Sequence, residues 1–105
     1  MLGIQGVGVI TVGMNTSPVS QFATPTVIKG APGILVKVLV TTTIAANAIV
    51  FYDNTTNSGT IIGYIAAGTG AGGNPFAISI PANQGIVVAS AAGPTATGAI
   101  TVSYI

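Results

Sequence analysis

Few side chains in this chain could do chemistry. Asp53 is its one carboxylate side chain, and Lys29 and Lys37 are its only ammonium side chains; His, Cys, Trp, Glu and Arg are absent from all 105 residues. General acid–base catalysis by a carboxylate pair is therefore excluded, as are the Ser-His-Asp and Cys-His arrangements that activate a nucleophile. A zinc site needs His or Cys, and a disulfide framework needs Cys. Two lysines cannot follow a phosphate backbone. The expectation is a protein that is not an enzyme, holds no metal or cofactor, and takes no nucleic acid as partner.

Three segments still invite a chemical reading. Phe51–Thr60 holds Asp53 beside Asn54 and Asn57. Calcium sites collect several charged oxygens, so a lone carboxylate points instead to a corner where Asp and Asn accept backbone N–H groups. Gly68-Thr69-Gly70-Ala71-Gly72-Gly73 matches the spacing of a dinucleotide-binding turn. It runs into Pro75 and a strand-like stretch rather than a helix, and no Lys-Ser/Thr pair follows, so a flexible hairpin loop is expected over 68–74. Lys37 interrupts the apolar run Ile34–Val40 and points either to solvent or across an interface with a partner. Thr41–Thr43 and Thr95–Thr97 lack the repeating Thr-x-Thr rank of an ice-binding sheet.

The elements that would carry these residues read as strands. Val, Ile and Thr are abundant, no helical period of useful length occurs, and Gly, Pro and Asn clusters punctuate the chain every 8–14 residues. Strands are expected at Gln21–Lys29 (at an edge, because of Pro25), Ile34–Thr43, Ala48–Asp53, Thr60–Ala66, Pro75–Pro81, Ile86–Ala91 and Thr97–Ile105. Ile34–Thr43 is expected to be central, with Val36, Val38 and Val40 on one face and Leu35, Lys37 and Leu39 on the other. Phe76, Ile78 and Ile80 should share a face, and Ile100, Val102 and Tyr104 should face the core. The expected fold is all-β: an antiparallel, jelly-roll-like β-sandwich of about seven to eight strands. It would occupy 21–105, preceded by an extended N-terminal arm and polar hinge over 1–20. In the arm, Gly3, Gly6, Gly8 and Gly13 are interleaved with aliphatics. Such a segment suits either a plain first strand of the sheet or close backbone approach to a neighbouring subunit; the second makes Leu2, Ile4, Val7, Val9, Ile10 and Val12 candidate partner-binding residues, together with Lys37.

The surface is the most informative quantity. A monomer of 10.2 kDa exposes about 5,300 Å², and ordinary domains place about a quarter of their residues there as charges. Here charged residues are 3% of the chain and the net charge is +1. A surface so poorly charged is expected to be buried in part against copies of itself or a partner. Hydropathy is high, at +0.83, yet no apolar run reaches the ~18 residues of a spanning helix. Nor are there enough long strands for a membrane barrel. No membrane partner is expected, and Met1–Gln5 lacks the basic start of a signal peptide.

Lys29–Leu35, Phe51–Gly63 and Ala99–Tyr104, spread over about three-quarters of the chain, resemble a loose pattern in small virion proteins of tailed bacteriophages. Its parts are a Gly-rich turn before a strand, a Tyr-Asp-Asn turn, and a closing Thr-Val-Ser-Tyr strand. The resemblance implies a capsid decoration (cement) protein. Such a β-sandwich is commonly a homotrimer, made in the host cytoplasm and placed on the capsid surface. There it would clamp neighbouring subunits of the major capsid protein. No catalytic residues come with it. Two other readings remain open. One is a receptor- or glycan-binding tail or fibre component using Tyr64 and the loop 54–58. The other is a pilin-like or matrix subunit joined by strand addition through the arm.

Overall fold

The computed structural model describes residues 14–72 and 75–105. Eight strands and no helix occur among them: β1 (Asn15–Val19), β2 (Thr26–Lys29), β3 (Gly33–Ala45), β4 (Ile49–Asp53), β5 (Thr60–Ile65), β6 (Phe76–Ala82), β7 (Ile86–Ser90) and β8 (Thr97–Tyr104). They form two four-stranded sheets, a front sheet in the order β1-β8-β3-β6 and a back sheet in the order β2-β7-β4-β5. Every pairing is antiparallel. Two interleaved sheets with these strand orders are the jelly roll, so the expected fold class holds.

The core lies between the sheets. Leu35, Val38, Val40, Ile100 and Val102 come from the front; Ile49, Phe51, Ile86 and Val88 come from the back, all essentially without exposure. Among the described residues no polar or charged side chain is buried. The core is therefore held by apolar burial, without internal ion pairs to desolvate.

Three expectations need correction. Residues 14–20 were expected to be a polar hinge, but Asn15–Val19 pairs with β8 from Asn15↔Tyr104 to Val19↔Ile100. Pro18 lacks an N–H and is tolerated because β1 is an edge strand. The simple alternation expected for β3 also fails. The register shifts between Leu35 and Lys37, and this bulge brings Leu35, Val38 and Val40 all onto the buried face. Finally, Phe76 and Ile80 stand opposite the buried Val38 and Leu35, on the core side as expected, but stay exposed at the sheet edge. Ser79 has a φ of 52°, β6 is irregular opposite Leu35–Lys37, and only Ile78 packs against the core.

The loops close the two ends of the sandwich. At one end, Asn47 Nδ2 donates to the carbonyls of Ala91 (2.9 Å) and Pro94 (2.8 Å). Its Oδ1 accepts the Ala48 N–H at 2.8 Å, so one side chain joins the β3–β4 turn to the β7–β8 loop. Ser90 accepts the Ala96 N–H and donates to the Phe22 carbonyl. Part of the Gly-rich loop is also tied down. Ile44 N–H donates to Thr69 O at 3.0 Å, and Gly72 N–H donates to Val40 O at 2.9 Å. These bonds continue the front sheet beyond the end of β6, where β3 would otherwise present a bare edge.

Candidate functional site

Asp53 ends β4 and faces the β6–β7 turn, where its Oδ1 accepts the Gln84 N–H at 2.8 Å. Backbone N–H groups of Asn83, Gln84 and Gly85 hold its carboxyl below the usual carboxylate range, Asn83 contributing most, against a smaller opposing effect of desolvation. Asn54 closes the adjoining turn on itself, its Nδ2 donating to Ser58 O and its Oδ1 accepting the Thr55 N–H. The carboxylate is thus used as a structural acceptor. Among the described residues no cluster of three or more acidic, His or Cys side chains is present to hold a metal ion. No helix among them is long and apolar enough to cross a membrane.

Lys37 is exposed on the outward face of the front sheet, opposite Ser103 of β8 and Ala77 of β6. Leu2, Ile4, Val7, Val9, Ile10 and Val12 lie outside the described residues. Of the partner-binding candidates singled out in the sequence, only Lys37 falls within the described residues.

The arrangement that does stand out is a margin of the sandwich. β5 ends the back sheet and β6 ends the front sheet, and these two edges lie against each other. Seven large apolar side chains are exposed among the described residues, and four of them lie on these strands: Ile61 (56%), Tyr64 (60%), Phe76 (44%) and Ile80 (39%). Their concentration here is what an interaction surface looks like; scattered apolar residues would need no explanation.

The four sheet edges are unequally protected. β1 carries Pro18. β2 has a register break and ends in Lys29. β6 has Pro81 and the positive φ of Ser79. These are the usual devices that prevent one edge from pairing with another. β5, Thr-Ile-Ile-Gly-Tyr-Ile, has neither charge nor Pro, and only a bulge at Ile62 interrupts it. No described strand pairs with its outer edge. Sequence reasoning marked Tyr64 alone in this margin; the uncharged text of 60–65 was the signal that could have found the rest.

No family model, curated protein or solved structure matches this chain.

Proposed function

We propose that this chain is a virion structural protein, most specifically a capsid decoration protein that binds copies of itself and the major capsid protein across the capsid surface. The observation that carries the reading is the β5–β6 margin, with its four exposed large apolar side chains and an edge strand, β5, that carries neither charge nor Pro. An almost chargeless jelly roll with no buried polar side chain among its described residues has little to offer a small substrate. It has much to offer a partner that buries apolar area. Association of this kind releases hydration water and adds about 25 cal/mol per Å² of apolar surface before the costs of ordering. Summed over the many copies on a shell, a small net gain per copy stiffens the particle.

The test has two arms. When particles from the chain's source are separated into heads and tails, the protein is expected with the heads. Recovery with the tails alone would favour the receptor-binding reading, in which Tyr64 stacks on a ligand. Recovery as filaments without particles would favour the pilin-like reading. In the second arm, Tyr64→Lys should leave the unfolding transition of the purified chain in place and abolish its sedimentation as a closed oligomer. An unchanged oligomer would remove the β5–β6 margin from the argument.

A further inference from the structure

Side chains along β5 do not alternate simply. Ile62 and Ile65 are in the core. Gly63 also faces inward, because a Cβ there would meet Phe51 Cδ1 at 3.0 Å, Leu35 Cδ2 at 3.2 Å and Ile78 Cδ1 at 3.3 Å. Ile61 and Tyr64 face outward, 56% and 60% exposed. The cause is the bulge. Ile61 pairs with Tyr52 and Gly63 with Phe51, which leaves Ile62 as an extra residue and puts two neighbours on one face. Thr60 falls on the inward side by alternation from Ile61. From Thr60 to Ile65 the faces therefore run in, out, in, in, out, in. That order reads the same in both directions.

A strand with this symmetry can pair antiparallel with its own copy and match every face. In the matching register Thr60 of one copy stands opposite Ile65 of the other, Ile61 opposite Tyr64, and Ile62 opposite Gly63. The bulky Ile62 then meets a residue without a side chain. The two-fold axis stands perpendicular to the sheet, between Ile62 and Gly63. Registers centred on Ile62 or on Gly63 set outward side chains against inward ones. Registers centred on Ile61 or on Tyr64 match over half the strand. A bulge that would hinder pairing with a regular strand thus selects one register when the partner is a second copy.

Charge and area agree with this occupant. β5 carries no charged side chain, so like strands meet without repulsion. The outer edges of β1, β2 and β6 are guarded by Pro18, by the register break and terminal Lys29, and by Pro81 with the positive φ of Ser79. Because β6 lies against β5, the same axis brings the β6 edges of the two copies toward each other. Ile61, Tyr64, Phe76 and Ile80, 39–60% exposed, each leave on the order of 100 Å² uncovered. Taken from both copies with the backbone of the two edges, this comes to about 1,000 Å², the lower bound of a specific interface.

We infer that two copies of this chain pair β5 to β5, antiparallel about an axis between Ile62 and Gly63, so that two four-stranded back sheets become one continuous sheet. This rests on the reading that the chain binds copies of itself, and it names the surface and the register.

The native chain has no cysteine, so single-cysteine variants report the register. Residues opposite each other on antiparallel strands have Cα atoms about 4.5–5.5 Å apart, within disulfide reach. The two copies of residue 61 would be about 10 Å apart, beyond it. Under mild oxidation a mixture of Ile61→Cys and Tyr64→Cys chains should give a disulfide-linked dimer on the order of 10-fold more abundant than either variant alone. No excess in the mixture would overturn the inference. Independently, the unmodified chain at high micromolar concentration should sediment as a species of even copy number. In it, amides of 60–65 that β4 does not bind should exchange on the order of 100-fold more slowly than in an unpaired strand. A monomer, an odd copy number or free exchange at these amides would overturn it. Both measurements use the purified chain. Pairing without recovery in heads leaves this inference standing and overturns the capsid role; recovery in heads without pairing does the reverse.

Discussion

Val27, Val87 and Val88 allow one substitution to be read in three environments. Val88 faces the core, Val87 faces outward beneath complete cover, and Val27, in the same row as Val87, is half exposed. Val→Thr keeps shape and strand preference and exchanges a methyl for a hydroxyl, so it measures the cost of placing a polar group at each site. A buried hydroxyl without a partner costs about 1–3 kcal/mol, judged from protein mutational data. With an unfolding entropy of about 2.1 cal/mol/K per residue over 105 residues, the expected fall in Tm is roughly 5–14 °C. Val88→Thr and Val87→Thr should both fall in this range, while Val27→Thr should stay within about 2 °C, as exposed substitutions do. Thermal and urea unfolding followed by far-UV circular dichroism, at one fixed protein concentration, would give the three values. If Val87→Thr behaves like Val27→Thr, Val87 is not enclosed in solution, and the reasoning from its burial fails.

Other expectations follow from single side chains. Asn47→Ala removes the tie between the β3–β4 turn and the β7–β8 loop. It should cost about 1–2 kcal/mol, with faster hydrogen exchange confined to 91–96. Asp53 has a folded-state pKa below its unfolded value, so its contribution is fully present above the unfolded pKa and is lost as pH falls through the folded one. Stability should therefore be flat from about pH 5 to 8 and decline below about pH 4. Asp53→Asn should flatten that acid decline; an unchanged acid profile would mean the backbone donors do not favour the carboxylate. Gly98 has a φ of +121°, and a Cβ there would meet Thr43 O at 2.6 Å and Thr42 O at 2.9 Å. Gly98→Ala should cost about 2 kcal/mol or more. At Gly70 nothing lies within 4 Å, and Gly70→Ala should be neutral or slightly stabilising.

Turn chemistry made most of the sandwich legible. Gly30–Pro32, Asn54–Gly59 and Asn83–Gly85 each fall between strands, because φ freedom and side-chain-to-backbone bonding are local properties that a sequence displays directly. β8 was legible for the related reason that an undisturbed period of two puts Ile100 and Val102 in the core. β1 was not. Asn15, Thr16, Ser17 and Pro18 are poor strand formers, and they form a strand because β8 offers them an open edge, which is a tertiary fact. The bulge in β3 was hidden likewise, since an extra residue is visible only against its partner strand. For the candidate site, the low charge was plain from composition. That exposed apolar residues from 60–65 and 76–80 lie on neighbouring edge strands depends on two sheets ending side by side, which the text of neither segment contains.

The uneven protection of the edges bears on the proposed role. A subunit that must add to a particle needs adhesive surface, yet one that is adhesive along every edge would polymerise. Here β1, β2 and β6 each carry a Pro, a terminal Lys or a backbone irregularity, while β5 remains an uninterrupted apolar strand on either side of its bulge at Ile62. With one permissive edge per chain, strand pairing can be used once and then stops. Further growth must come from side-chain packing at the β5–β6 margin, where Ile61, Tyr64, Phe76 and Ile80 are exposed. Such packing closes into a ring when the contacted surfaces differ and the rotation returns to its start. Charges do almost nothing to orient this contact, so its strength should be nearly independent of salt. Specificity then rests on shape: on the position of four apolar side chains that the jelly roll holds along one margin.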